Sequence, residues 1–223
     1  MPAEHIVITL DGPAGAGKST VAKSLAGRLG ITYLDTGAMY RALTLKALRL
    51  KMDLSDEEAL TILARNSKIT FKEMPDGILN ITLDGEDVAE AIRTQEVTNN
   101  TFYIARVAGV RTLMVAWQRD MGMGRSVVTD GRDQGTVVFK DARYKFYVDC
   151  DVEERVQRRY KELIAASKPV DLDQLRADMK ERDQKDFTRA VGPLKKAPDA
   201  ITVDSTGLTV EGTVDKIMKL IQL

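Results

Sequence analysis

Histidine and cysteine are almost missing from this chain: one of each, His5 and Cys150, in 223 residues. A lone cysteine excludes an internal disulfide framework and any multi-cysteine zinc site, and it suits a reducing compartment. A lone imidazole excludes paired-histidine metal sites and leaves any Ser-His-Asp or Cys-His arrangement to be built on His5, beside the N-terminus. Net charge is missing too. With 33 Lys+Arg against 33 Asp+Glu, no bulk field draws the chain to nucleic acid or an anionic membrane, so an anion has to be gripped locally. No apolar stretch approaches the roughly 18 residues that span a bilayer. Met1 to Glu4 is too short for a signal peptide, so a cytoplasmic location and no membrane partner are expected. What is present is a globular balance of 43% hydrophobic and 30% charged residues, well away from disordered compositions. At about 150 residues per domain, the length suits one domain with an insertion.

Strand and helix patterns alternate along the chain. His5–Leu10 is nearly continuous in apolar character, as a strand covered on both faces of a parallel sheet should be. Val21, Ala22, Leu25, Ala26 and Leu29 then recur at helical spacing, with Gly30 placed for a left-handed stop. Ile31–Leu34 reads as a strand, followed by a helix through Met39, Leu43 and Leu48. Ser55-Asp-Glu-Glu58 has capping-box spacing for a third helix. Between about 66 and 90, two short strand-like runs joined by Pro75-Asp76-Gly77, with a second turn at Asp84-Gly85, predict a small antiparallel insertion. Helical spacing then runs from Gln95 to Met121. Ser126–Thr129, Lys145–Val148 and Ala200–Val203 suit core strands, and Val152–Ala166, Leu172–Arg182 and Val210–Ile221 suit helices. Glu181–Lys196 is polar and basic without an apolar period, and is expected to be mobile.

The most informative run is Gly12, Pro13, Ala14, Gly15, Ala16, Gly17, Lys18, Ser19 and Thr20. It satisfies G-x-x-x-x-G-K-[ST] between a predicted strand and a predicted helix. The glycines let backbone N–H groups turn inward around a phosphate, and the helix N-terminus adds its partial positive charge. Lys18 would reach the β- and γ-phosphates of ATP, and the Ser19 hydroxyl would ligate Mg²⁺. Asp130, after the apolar Val127-Val128, stands where a carboxylate would orient Mg²⁺ through water; a turn role is the alternative.

Where the γ-phosphate goes separates the function classes. A regulatory GTPase needs a guanine-reading N-K-x-D segment, and no Asn here precedes Lys. A motor or remodelling ATPase needs a coupling surface that neither length nor charge supports. A small-molecule kinase remains, with shikimate-type and dephospho-coenzyme-A-type enzymes as alternatives within that class and a non-catalytic ATP-binding regulator as a rival from another class. Scarce histidine fits a phosphate acceptor, whose oxygen is already ionised and needs cations rather than a base. Arg41, Arg132, Arg182 and Arg189 are placed to supply guanidinium forks, although loop arginines are also ordinary surface groups. Arg158 and Arg159 could approach ATP phosphates or form solvated pairs with neighbouring Glu. Trp117 and Cys150 read as packing residues.

Several segments together resemble the bacterial-type cytidylate kinases, a branch of the P-loop nucleoside monophosphate kinases. They are Asp11–Ser19, Leu34-Asp-Thr-Gly-Ala-Met-Tyr-Arg41, Ile92-Arg-Thr-Gln-Glu-Val97, Asp130-Gly-Arg-Asp-Gln-Gly-Thr-Val-Val-Phe139 and Glu181-Arg-Asp-Gln-Lys-Asp-Phe-Thr-Arg189. The resemblance implies transfer of the ATP γ-phosphate to CMP or dCMP. It implies an α/β P-loop fold with a five-stranded parallel sheet flanked by helices, the antiparallel insertion, and a mobile lid within about 155–196. It also implies that Arg41, Arg132 and Arg189 hold the acceptor phosphate beside Thr36, that Arg182 and Asp186 contact the ribose, and that Arg111 and Asp133 read the cytosine. Lys18, Arg132, Arg182 and Arg189 would be the catalytic cations. A carboxylate suits the cytosine N4 amino group and would face a lone pair on uracil, so CMP should be preferred over UMP. Phe102 departs from the family pattern, standing at a serine position that also touches the base; Thr101 could supply the hydroxyl, and Phe102 could equally be core. A monomer acting on small-molecule substrates, without nucleic-acid partners, is expected.

Overall fold

Alternation along the first strand decides what surrounds the phosphate loop. In the computed structural model, which describes residues 5–73, 79–165 and 169–222, β1 (Val7–Asp11) leads through the glycine-rich turn into α1 (Lys18–Leu29). β2 (Thr32–Asp35), α2 (Thr36–Arg49) and α3 (Glu57–Arg65) follow. Then come β3 (Ile69–Glu73), β4 (Leu79–Leu83), β5 (Glu86–Asp87), a 3-10 turn at Ala91–Arg93, α4 (Gln95–Ala105) and α5 (Ala108–Gly122). The remainder is β6 (Val127–Gly131), a π-helical turn at Gln134–Val138, β7 (Tyr144–Asp149), α6 (Val152–Ala165), α7 (Leu172–Thr188), β8 (Ile201–Asp204) and α8 (Val210–Met218). The chain divides into two compact units, residues 1–33 with 124–223, and residues 34–123.

The five-stranded sheet runs in the order β2-β6-β1-β7-β8, with β1 parallel to β6 and β7, and β7 parallel to β8. Ile8, Leu10, Val128, Phe146, Val148 and Val203 form one core with Val21 and Leu25 of α1 and Val214 and Ile217 of α8. Because side chains alternate along a strand, Thr9 and Asp11 point to the opposite face, where the turn at 134–138 covers them. Pairing of Leu10 with Asp130 and Asp11 with Gly131 brings the carboxyl ends of β1 and β6 side by side. Open α/β sheets bind ligands at such ends.

In the second unit α2, α3, α4 and α5 share a core built on Met39, Leu43, Leu60, Ile104, Val110 and Met114 with Ile69, Ile81 and Leu83 of the antiparallel sheet β3-β4-β5. Asp84 (φ 52°) and Gly85 (φ 91°) make the β4–β5 turn, the double left-handed geometry favoured between hairpin strands. The turn expected at Pro75-Asp76-Gly77 lies outside the described residues. Trp117 packs against this core and Cys150 lies within that of the first unit.

Three local expectations are corrected. The helix expected across Gln95–Met121 is two, broken at Val107, whose extended backbone (φ −73°, ψ 118°) places its side chain in the core. Apolar spacing continues through Ile104, Val107 and Val110, which hid the break. At α3 the cap is Asp56, which accepts from the Ala59 N–H at 2.9 Å, while Ser55 instead donates its N–H and hydroxyl to Asp53. And α7, expected to end at Arg182, continues through Thr188. Its inward positions carry Asp183 and Asp186, paired with Arg155 and Arg132, so the helix face is held by charge and shows no apolar period.

Candidate active site

The phosphate loop begins where only glycine fits. Gly12 adopts φ +153°, and a Cβ there would lie 2.1 Å from the Val148 carbonyl oxygen. Gly17 caps α1 in left-handed backbone with no side-chain cap, and the first N–H bonded back to it is that of Val21, at 3.0 Å. The amides of Lys18, Ser19 and Thr20 therefore have no intrahelical acceptor, the arrangement that makes a helix start receptive to anions. The Lys18 ammonium is buried and donates to the Pro13 carbonyl at 2.6 Å. Burial, joined by the charge of Arg132, holds its pKa well below the ordinary lysine value, while Asp130 and Asp186 oppose the shift.

Next to the loop, the two oxygens of Asp130 accept from the Ser19 hydroxyl and the Tyr33 hydroxyl, each at 2.7 Å. Mg²⁺ takes oxygen donors and keeps several waters, and a hydroxyl oxygen beside an oriented, buried carboxylate fits that requirement.

Asp11, on the far face of β1, accepts from the amides of Gln134 at 2.9 Å and Gly135 at 2.8 Å. It thereby anchors the segment carrying Arg132 and Asp133. Burial raises its pKa to about 6, helped by the Asp133 charge and opposed by these two amides and Lys18. Arg132 donates through Nε to Asp186 Oδ2 at 2.7 Å and through Nη1 to the Gly131 carbonyl. Burial acts to raise the Asp186 pKa, but the charge and hydrogen bond of Arg132 outweigh it and hold the carboxyl below its ordinary value. Arg189 lies 3.8 Å from Asp133 and 3.9 Å from Asp186. Arg182 is exposed on α7, with its charge felt by both Lys18 and Asp186. Arg132, Asp133, Asp186 and Arg189 thus form one ion network, and Asp186, assigned to a ribose by resemblance, is here the partner of Arg132. Arg158 donates to Glu154 and to the Ser205 and Leu208 carbonyls, and Arg159 pairs with Glu162.

In the second unit, Thr36 opens α2 and is buried, with Asp35 capping the helix through the Ala38 N–H at 2.9 Å. The Arg41 guanidinium reaches back along this first turn, so that a Cβ on Gly37 would lie 3.6 Å from its Nη1. A hydroxyl, a helix start and a guanidinium are donors whose chemistry suits phosphate oxygens. Arg111, 3% exposed, donates to the Ala105 carbonyl at 3.2 Å and lies over the Tyr40 ring, 5.6 Å from its centroid. The Thr101 hydroxyl donates to the Val97 carbonyl, and Phe102 is half-buried, edge-to-face with Tyr103.

The family model for cytidylate kinase matches residues 8–223. The chain belongs to the cytidylate kinase family. A cytidylate kinase from Desulforamulus reducens is 48% identical over 219 residues, covering 98% of each chain. One from a Geobacillus species is 49% identical over 217 residues, covering 97% of this chain and 96% of that one. Among solved structures, an uncharacterized protein from Eubacterium ventriosum shares the fold at 15% identity, with a TM-score of 0.55 over 98% of both chains.

For a member of the cytidylate kinase family, four residues around the loop went unnoticed in sequence. Asp11 opens the first resembling stretch without an assigned role, and Tyr33 precedes a motif without belonging to its pattern. Arg155 sits in a charged helix where Arg beside Glu reads as a solvated pair, and Asp183 lies inside the E-R-D-x-x-D-x-x-R stretch without an assigned role. Their shared signal is polar character at positions that strand alternation or helix packing buries, and burial is not visible without the fold.

Proposed function

We propose that this chain is a phosphotransferase that moves the γ-phosphate of ATP to CMP or dCMP, giving CDP or dCDP and ADP. The observation that carries the reading is the family match, which runs from the strand before the phosphate loop to the end of the chain. The chemistry of the site supports it. Lys18 and the amides of the loop receive the β- and γ-phosphates. Ser19, with Asp130 acting through water, would hold Mg²⁺, which when bound neutralises charge on the β- and γ-oxygens. Arg41, Arg132 and Arg189, with Thr36, take the acceptor phosphate; Arg182 and Asp186 serve the ribose, and Arg111 and Asp133 the base. The acceptor oxygen attacks phosphorus in line as the bond to the bridging oxygen of ADP breaks. That oxygen is already ionised, so no general base is required, in keeping with a chain whose one histidine is exposed at position 5. No helix among the described residues is long and apolar enough to cross a membrane.

A coupled ADP-release assay with ATP·Mg²⁺ and a panel of CMP, dCMP, UMP, AMP and shikimate tests this reading. ADP formation dependent on CMP or dCMP is expected. ATP binding without acceptor-dependent ADP formation would overturn it in favour of a binding protein.

A further inference from the structure

The phosphate loop is held from outside by two helices through a single ion pair. Arg155 of α6 and Asp183 of α7 are both buried, 3% and 9% exposed, and meet at 2.7 Å through Arg155 Nη1 and Asp183 Oδ2. Their remaining bonds converge on the loop. Arg155 Nη1 donates to the Ala14 carbonyl at 2.9 Å and Nε to the Cys150 carbonyl at 3.1 Å. Asp183 Oδ1 accepts from the Ala14 N–H at 3.4 Å. Both backbone polar groups of Ala14 are thus engaged by side chains more than a hundred residues away. Immediately beyond, Gly15 stands at φ +78°, where a Cβ would lie 2.9 Å from Met179 Cε of α7 and 3.3 Å from the Arg155 Cβ.

We propose that Arg155 and Asp183 are positioning residues for the triphosphate, which hold residues 14–15 of the loop in the conformation that receives phosphate. This deepens the proposed function and rests on its reading of the loop as a nucleotide site. The physical argument is preorganisation. A glycine-rich turn has many accessible backbone states, and ordering it on binding costs affinity. A grip on both backbone polar groups of one residue, and so on the two successive peptide units that flank it, removes part of that cost beforehand, and the hydrogen bonds to charged groups that make it are stronger than neutral ones. The same two helices are also joined by Arg176 of α7 and Glu153 of α6, at 2.9 Å on the surface. That second link touches no loop residue, so it separates a grip on the loop from a general tie between helices.

The test is calorimetric binding of ATP·Mg²⁺ and, separately, of CMP to the full chain, with thermal unfolding as a check on folding. The double variant Arg155→Met with Asp183→Leu removes the grip without leaving a buried unpaired charge. It is expected to weaken ATP·Mg²⁺ at least about tenfold, as loss of one charge-assisted hydrogen bond would, and to leave CMP affinity within about twofold. Arg176→Met is expected to leave both affinities unchanged. Should the double variant fail to fold, Arg155→Lys decides the matter, because a lysine keeps the charge but cannot span Ala14, Cys150 and Asp183 together. Wild-type ATP affinity in a folded variant that lacks the fork overturns the proposal, as does an equal loss in Arg176→Met or an equal loss of CMP. Binding is read without turnover. A wild-type chain that binds ATP yet phosphorylates no acceptor would therefore sink the kinase reading while leaving this inference standing.

Discussion

Replacing Asp186 by alanine isolates what burial adds to an ion pair in this molecule. Arg132 Nε and Asp186 Oδ2 are 2.7 Å apart, with side chains 18% and 13% exposed. Two unit charges about 4 Å apart at an effective dielectric near 20 attract by about 4 kcal/mol before desolvation is counted. Removing one partner also strands the other: Arg132 would keep its charge in a buried setting, and breaking such a pair costs about 3–5 kcal/mol. Both groups retain some contact with water, so a loss near the low end, about 3 kcal/mol, is expected. For a chain of this size that is a fall in Tm of about 6–12 °C. The control is Glu153→Ala. Glu153 makes two hydrogen bonds to Arg176, each 2.9 Å, a better-formed contact than the Arg132 pair, but on the surface. Its loss should leave the midpoint unchanged within measurement, because solvent screens an exposed pair. The pH dependence follows from the lowered Asp186 pKa. Its contribution is fully present above the unfolded carboxylate value and is lost as pH falls through the folded one, so the gap between wild type and Asp186→Ala should close in acid. Urea and thermal unfolding of the three proteins measure this. Equal midpoints for the two variants at neutral pH would refute the reasoning that burial, not contact geometry, sets the worth of the pair.

Three further outcomes are expected. Asp11, raised from 3.8 to about 6, favours the folded state fully below the unfolded value and loses that contribution as pH rises through about 6. Asp11→Asn should therefore remove a downward slope of stability between about pH 4 and 7, and a slope retained in the variant would show that another group carries it. Tyr33→Phe removes one of the two hydroxyls that orient Asp130 and should raise the Mg²⁺ concentration needed for half-maximal ATP binding by roughly tenfold, as losses of metal-orienting partners do. Calorimetric titration at a series of Mg²⁺ concentrations checks it, and an unchanged midpoint rules the hydroxyl out. Asp133→Asn should lower the ratio of kcat/KM for CMP over UMP at least about tenfold, since an amide can donate to the uracil carbonyl where a carboxylate cannot; an unchanged ratio takes Asp133 out of base reading.

Much of the molecule was legible before any coordinates. Gly12–Ser19 carries its own conformational instructions, with glycine at left-handed positions and a lysine and serine at the offsets that phosphate chemistry demands. The strands around it announce themselves as apolar runs, and Gly30 ends α1 in the left-handed region as expected (φ 64°). These features depend on neighbours a few residues apart, which a sequence displays directly.

The amino-acid order by itself determined that a strand, a phosphate-sized turn and a helix follow one another, that the motifs carry lysine and arginine rather than histidine, and that the chain has the cytidylate kinase pattern. Tertiary structure alone decided which charges meet. Asp11 reaches the amides of residues 134 and 135, Arg155 reaches Ala14, and Asp186 holds Arg132. It also decided that α7 runs through Thr188 and that a helix breaks at Val107. The reason is physical: an ion pair or a buried carboxylate draws its energy from the low-dielectric surroundings that folding creates, and those surroundings are assembled from segments more than a hundred residues apart in the Asp11 and Arg155 contacts.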